Sequence, residues 1–346
     1  MGIRKIQLFD FRNIKKNIFE FSKGVTVIVG PNASGKTNIL ESLFLLSSGK
    51  SFKARIEAEM IGYDSSIARI TGIASNLKLE TILTRGENGW PRKKLLVNGV
   101  SKRLIDFAGN FKVTLFGPWD LDLVTASPSL RRNFLDAVLS QADREYRRAI
   151  LSYEKGLRQR NRLLYRIREE GLSRSQLLFW DKLLIRNGNY ISVKRGEFID
   201  FINATGGLND QEFDLTYDNS AISQGRLEQY INEEIASAST LVGPHRDDFI
   251  FNIGELRKSR SLDKFGSRGE QRMAVLWLKM GELAFLAKES DDQPILLLDD
   301  IFSELDTEHI ALVSKTIDGQ QTILTPTHQE FVPKTLLKHT NVIELR

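Results

Sequence analysis

No feature of this chain constrains its fold more than the stretch Val25-Thr26-Val27-Ile28-Val29-Gly30-Pro31-Asn32-Ala33-Ser34-Gly35-Lys36-Thr37. Its five apolar or β-branched residues predict a buried strand, and a helix is expected to begin near Gly35 and run through Leu46. Between them lies Gly-x-x-x-x-Gly-Lys-Thr, the spacing of a phosphate-binding loop. The glycines let the backbone curl around a polyphosphate, so that successive N–H groups and a helix N-terminus point at it. Gly30, Pro31, Asn32, Ala33, Ser34 and Gly35 are therefore candidate ATP-binding residues. Lys36 is expected to bridge the β- and γ-phosphates and to act in catalysis, and the Thr37 hydroxyl to ligate Mg²⁺.

A second set of motifs lies near the other end of the chain. Ile295-Leu296-Leu297-Leu298-Asp299-Asp300 predicts an apolar strand ending in two acids. An acid at the carboxyl end of such a strand sits beside the phosphate loop, so Asp299 is a candidate for holding Mg²⁺ through water. Asp300 is the candidate that orients or deprotonates the attacking water. Upstream, Ser267-Arg268-Gly269-Glu270-Gln271 opens a predicted helix and resembles the signature loop of ABC-type ATPases. Ser267 and the amides around Gly269 are expected to cradle a γ-phosphate. After the acids, Ser303-Glu304-Leu305-Asp306 resembles the D-loop of those enzymes, with Asp306 as its acid. His328, beyond a strand at Thr322–Leu324, falls where they carry a switch histidine.

Residues 67–97 predict an antiparallel meander (Ile67–Ile73, Leu77–Thr84, Lys93–Val97), with Asn98-Gly99 as a hairpin turn. An earlier strand is expected at residues 3–9 and another at Ile18–Phe21, joined by a loop over Phe9–Asn13. From Pro128 the pattern turns helical through about residue 204, and strand signals resume at Asp248–Ile253. The fold class expected is α/β: an ABC-type P-loop ATPase head with an antiparallel β meander and a mostly helical inserted second lobe. The expected domains are 1–120 (head, N-terminal part), 121–240 (inserted lobe) and 241–346 (head, C-terminal part). The 346 residues contain no cysteine, which excludes disulfides and thiolate metal sites. No apolar run approaches a bilayer span, so a cytoplasmic protein with no membrane partner is expected.

The chain as a whole resembles the RecF family of bacterial recombination and repair ATPases. Leu8-Phe9-Asp10-Phe11-Arg12-Asn13 is similar to that family's Leu-x-x-Phe-Arg-Asn opening, which brings Arg12 and Asn13 into the ATP-binding set. Pro118 to Asp136 resembles its central motif, with Trp119 where an acid is usual and Ala126 where Gly or Ser is common. Gly243-Pro244-His245-Arg246-Asp247-Asp248 is a hexapeptide of the same family, expected to be a turn and ion-pair node joining insertion to head. The resemblance implies a protein that forms a homodimer with ATP, the signature loop of one copy acting in trans, and hydrolyses ATP slowly. It also implies binding to double-stranded and gapped DNA, and work with RecR and RecO that lets RecA replace single-strand-binding protein.

Charge gives DNA binding separate support. Between Arg131 and Arg168 lie eleven Lys or Arg residues against four Asp or Glu. Arg131, Arg132, Arg144, Arg147, Arg148, Arg158, Arg160 and Arg162 are the candidate phosphate contacts, a sequence-independent and salt-sensitive mode. A solvated helical face is the competing reading. Two further readings share the head motifs: the nucleotide-binding subunit of an ABC transporter, and a chromosome-structuring ATPase with coiled-coil arms. The first fits the Arg-rich insertion poorly. The second needs hundreds of heptad residues, whereas the longest candidate helix, near 144–168, spans about 37 Å.

Overall fold

Ile3, Ile6, Leu8 and Phe11 are buried in turn along the first strand, β1 (Ile3–Phe11), with more exposed residues between them. In a computed structural model of the chain, described for residues 2–86, 91–254, 259–290, 293–303, 305, 307–317, 319–326 and 340–345, β1 is followed at once by β2 (Ile14–Glu20). The expected loop over 9–13 is thus a tight hairpin. Phe11 pairs with Ile14, and Arg12 between them takes φ 54°. The sequence conceals β2 because it is an edge strand exposed along most of its length, so no apolar alternation marks its start.

The chain then forms β3 (Val25–Val29), α1 (Lys36–Ser48), β4 (Ile67–Ala74), β5 (Leu77–Thr84), β6 (Arg92–Val97) and β7 (Val100–Lys102). Asn98 (φ 51°) and Gly99 (φ 79°) close β6 onto β7, as expected of an Asn-Gly turn. After α2 (Leu104–Phe107) and β8 (Val113–Phe116) come the long helices α3 (Pro128–Ala142), α4 (Arg144–Glu170) and α5 (Leu178–Asn203). Next are β9 (Phe213–Asp218), α6 (Gln224–Gln229), α7 (Ile231–Ser237), β10 (Asp248–Ile253), β11 (Arg260–Ser261), α8 (Leu262–Phe265) and α9 (Arg268–Lys288). The chain ends with β12 (Ile295–Asp299), α10 (Thr307–Ile317), β13 (Thr322–Thr325) and β14 (Asn341–Glu344).

Contacts divide the chain into two units. The first comprises residues 1–122 and 278–346, the second residues 123–277. The second crossing therefore falls within α9, and residues 241–277, expected with the head, lie in the inserted unit. The cause is visible in β10, which pairs with β9 and β11 of the insertion and, among the described residues, with no strand of the head.

The first unit holds two sheets. One is antiparallel, in the order β2-β1-β4-β5-β6-β7. The other is parallel, in the order β14-β3-β13-β12-β8. Helix α1 packs on β4 and β5 on one side and on β8, β12 and β13 on the other. This explains why α1 is apolar nearly all round, with Ile39, Leu40, Leu43, Leu45 and Leu46 fully buried. The packing is close at Gly72 of β4, where a Cβ would lie 2.6 Å from Leu46 Cδ1 and 3.2 Å from Ile3 Cδ1. The second unit packs α3, α4 and α5 together and sets α3 and α5 on its β9–β10 sheet. Among the described residues no helix is long and apolar enough to cross a membrane.

Because both neighbours of Gly72 are fully buried, Gly72→Ala is expected to destabilise the protein by about 1–3 kcal/mol through overpacking. Chemical denaturation reads this directly, and an unchanged midpoint would show that α1 has room the packing denies.

Candidate nucleotide site

The loop between β3 and α1 has the shape its sequence requires. Gly35, the N-cap of α1, sits at φ 106°, and a Cβ there would meet Asn13 Oδ1 at 2.9 Å. Ala33 is held at φ 64°, an uncommon conformation for a residue with a side chain. Lys36 reaches back over the loop, its ammonium donating to the carbonyls of Gly30 (2.7 Å) and Pro31 (3.1 Å). The first turn of α1 carries no acidic residue and no side-chain cap, which leaves its N–H groups and positive dipole end to an anion. The Ser34 hydroxyl is buried with no hydrogen-bond partner among the described residues. A loop that gathers amide groups, an ammonium and an orphaned hydroxyl fits a polyphosphate.

The acids follow from the parallel register. Leu298 and Asp299 of β12 lie beside Leu324 and Thr325 of β13, and β13 in turn pairs with β3. The Asp299 carboxylate, 4% exposed, accepts hydrogen bonds from Thr37 Oγ1 (3.0 Å) and Thr325 Oγ1 (2.5 Å). Burial raises its pKa, and the two hydroxyls, Thr325 foremost, oppose that shift. Thr37 and Asp299 thus present two hard oxygen ligands side by side, which suits Mg²⁺. That ion completes its octahedron with water and phosphate rather than with further side chains. Asp300 leaves the strand at φ 50°, its N–H donating to Thr325 O (2.9 Å).

Several supporting residues went unread in the sequence. Glu41 of α1 is fully buried and receives Arg12 through Nε (2.8 Å) and Nη2 (2.6 Å), and Ser51 through its hydroxyl. Arg12 also donates to the Glu59 carbonyl. Its guanidinium thus braces Glu41 and hence α1. Asn13 does reach the loop, donating to Ala33 O (3.0 Å) and accepting from Asn38 Nδ2 (2.8 Å). Lys53 closes the chain of contacts on Asn38 Oδ1 (3.3 Å) and lies near enough to Asp299 to lower its pKa. A lone lysine in a polar turn carries no sequence signal for that position.

The signature residues lie in the inserted unit. Ser267 and Glu270 form a reciprocal capping box at the start of α9: Ser267 N–H donates to Glu270 Oε2 (2.8 Å), and Glu270 N–H donates to Ser267 Oγ (3.3 Å). Arg260 binds the other Glu270 oxygen (2.5 Å), and the Ser267 amide heads the interactions that lower the Glu270 pKa. Arg268 begins the helix, Gly269 has open space where a Cβ would project, and Gln271 donates to Leu262 O (2.9 Å). The loop thus already holds one anion at a helix N-terminus. Asp306 and His328 lie outside the described residues.

The Arg-rich stretch separates into two populations. Arg160 is fully buried, bonded to Asp181, Glu234 and Thr240. Arg131 grips Asp248 with two nitrogens (2.6 and 2.9 Å) and the carbonyls of Leu123 and Ala126, while Arg132 donates to Asp247 O. Arg147 donates to Ser140 O. The structure removes Arg131 and Arg160 from the candidate DNA contacts, since burial hides them. Arg144, Arg148, Arg158 and Arg162 remain exposed on α4. The hexapeptide is an ion-pair node, but one internal to the insertion. Fully buried Asp247 receives Arg195, Tyr217 and the Ser220 amide, and Arg195 also binds Asp136 (2.8 Å). His245 bonds Tyr153 and Thr240 O, and burial takes its pKa down to about 4.

Residues 2–336 match the family model described as the RecF/RecN/SMC N terminal domain. The DNA replication and repair protein RecF of Herpetosiphon aurantiacus is 33% identical over 379 residues, covering 99% of this chain and 97% of that protein. RecF of Moorella thermoacetica is 33% identical, covering 100% and 95%. A solved structure of the recombination mediator protein RecF-ATP in the RecFOR pathway superposes with TM-score 0.86 at 32% identity, over 95% of this chain and 92% of that one. An Smc head domain from Pyrococcus furiosus shares the fold alone, with TM-score 0.51 and 16% identity over 96% and 90%.

Lys36→Ala removes the one ammonium over the loop, and filter binding is expected to show ATP binding abolished. Unchanged affinity would disprove the site.

Proposed function

The chain belongs to the RecF family, and on that premise we propose that it is an ATP-driven DNA-binding switch of recombinational repair and replication-fork recovery. The observation that carries the reading is the contact of Thr37 with Asp299 beneath a loop whose Ser34 hydroxyl is buried and unbonded. That arrangement suits a magnesium triphosphate.

In this reading the backbone N–H groups of residues 32–37 and the Lys36 ammonium bind the phosphates, and Thr37 and Asp299 would hold Mg²⁺. The ion would supply charge neutralisation between the β- and γ-phosphates. Asp300 orients the attacking water and accepts its proton. Asn13 holds the loop through Ala33, and Arg12 acts at one remove by fixing Glu41 and hence α1. Ser267 and the Gly269 amide serve the γ-phosphate of a second copy, so ATP becomes part of a two-fold interface. Glu270 must then yield the Ser267 amide to the phosphate. ATP favours the dimer, and slow hydrolysis releases it, because an Asp reaches less far toward the water than a Glu would. His328 and Asp306 complete the site in this reading.

DNA is the macromolecular partner, in duplex and gapped forms. Arg144, Arg148, Arg158 and Arg162, exposed along α4, supply sequence-independent phosphate contact. The RecFOR pathway named for the related structures supports cooperation with RecR and RecO; in this reading the outcome is loading of RecA, in the cytoplasm.

Ser267→Arg is expected to leave ATP binding intact while preventing ATP-dependent dimerisation in sedimentation. A normal dimer in that variant would end the shared-site model. Asp300→Asn is expected to trap the ATP-bound dimer and lower turnover by at least tenfold. Undiminished hydrolysis would take Asp300 out of the chemistry.

A further inference from the structure

The antiparallel sheet of the first unit buries one face more completely than the other. Along β1 the inward set is Ile3, Ile6, Leu8 and Phe11, and the strands beside it bury Ala68, Ile70, Leu79 and Leu83 in the same way. The opposite face covers Glu80 and Leu96 but leaves Phe9 (42% exposed), Ile18 (46%) and Ile73 (36%) open.

The register arranges that open face in rows. Phe9 of β1 pairs with Lys16 of β2 on one side and Arg69 of β4 on the other. Arg69 pairs with Ile82 of β5, and Ile82 with Lys94 of β6. Directly paired residues share a face, so Lys16, Phe9, Arg69, Ile82 and Lys94 form one line across five strands. The line alternates cation, ring, cation, aliphatic, cation, and it contains no carboxylate. Lys16, Arg69 and Lys94 are exposed and enter no ion pair among the described residues. The rows beyond it differ: the adjacent row holds Glu80, and in the row after that Lys5 pairs with Glu20 (3.1 Å) while Lys78 reaches back to Glu80 (3.2 Å). Compensation is thus the rule on this face, and the Lys16–Lys94 line departs from it.

We propose that this line is a platform for single-stranded nucleic acid, in which Lys16, Arg69 and Lys94 hold backbone phosphates and Phe9 stacks on a base between the first two. The proposal rests on the reading that this chain works on DNA, and adds a site in the head separate from the α4 arginines. Dimensions support it. Adjacent strands lie about 4.8 Å apart, so successive cations are roughly 10 Å apart and the line spans about 19 Å. At the ~3.4 Å rise of a stacked strand that is about five or six nucleotides. An isolated ring flanked by unpaired cations is the chemistry of sequence-tolerant single-strand binding, since every base has a π-face and every linkage a charge. An acidic protein would meet the same cations but would gain little from a lone ring.

The test uses the full chain and fluorescently labelled oligo(dT), read by anisotropy across a salt series. The triple variant Lys16→Gln, Arg69→Gln, Lys94→Gln is expected to lose at least tenfold in oligo(dT) affinity. Its log–log salt slope should shrink by about 2, the value for three phosphates on a single strand. Phe9→Ala is expected to lose about tenfold with the slope unchanged, a split that general unfolding would not produce. Retained ATP binding certifies the fold of both variants. Unaltered affinity and slope in the triple variant would overturn the proposal, as would polyglutamate displacing oligo(dT) equally well from the native chain and from Phe9→Ala. If the native chain binds duplex but not oligo(dT), this site falls and the DNA reading stands. If it binds no DNA at all, both fall.

Discussion

One buried carboxylate fixes the chemistry of the head. Removing a charge from water is expensive unless hydrogen bonds replace the lost solvation, and Asp299 is nearly out of solvent. Its two hydroxyl partners come from different elements and donate to the same oxygen, Oδ1. Thr37 begins the helix that the phosphate loop launches, and Thr325 ends the strand lying between β3 and β12. Loop, helix and acid are therefore registered on a single group. Because α1 is held between two sheets, a shift at its N-terminus would have to be taken up by close-packed apolar neighbours, which resist it. The placement of Thr37 beside Asp299 is thereby set by packing.

The nucleotide half of the molecule was largely legible because its signals are local. A strand, a glycine loop and a helix follow one another in thirteen residues, and the Ile295–Asp300 run carries its own period and its own acids. The hairpin at Asn98-Gly99 is legible for the same reason. What escaped reading depends on partners distant in sequence. Thr325 matters through its register with Asp299, Glu41 through Arg12 and Ser51, and Lys53 through Asn38. None of these has a local pattern, because the interaction exists only once strands and helices have met. The edge strand β2 escaped for a different reason: it has almost no buried side to advertise.

Counting arginines gave the inserted unit an ambiguous reading that burial resolves. Arg131, Arg160 and Arg195 are internal, and each has carboxylates to meet it: Asp248 for the first, Asp181 and Glu234 for the second, Asp136 and Asp247 for the third. Removing one partner from such a pair would strand a charge in a low-dielectric interior, so the network constrains how the helices can pack. The Gly243–Asp248 hexapeptide belongs to this network. Its acids serve arginines of α3 and α5, and its histidine, kept neutral by burial, bonds to Tyr153 of α4. Sequence reasoning recognised the node but assigned it to the wrong boundary, since charge alternation does not reveal which helices the charges face.

What distinguishes a structural cation from a ligand-binding one in this protein is compensation, not abundance. The formal charge of +5 is modest for 346 residues, and a uniform spread of it would be screened away within a Debye length of about 8 Å at physiological salt. Cations act together on a polyanion only where several stand within roughly that distance with no carboxylate among them. Among the described residues, both surfaces proposed for nucleic acid contain such a set. On α4, Arg158 and Arg162 are one turn apart on an exposed face. On the antiparallel sheet, Lys16, Arg69 and Lys94 repeat at every second strand. In both, regular secondary structure sets the spacing, so the phosphates meet a lattice already ordered by backbone hydrogen bonds. Ordering long side chains costs entropy at binding, but the backbone beneath them contributes no further cost. A weakly charged protein can hold nucleic acid by this means, provided its uncompensated cations are few, adjacent and rigidly mounted.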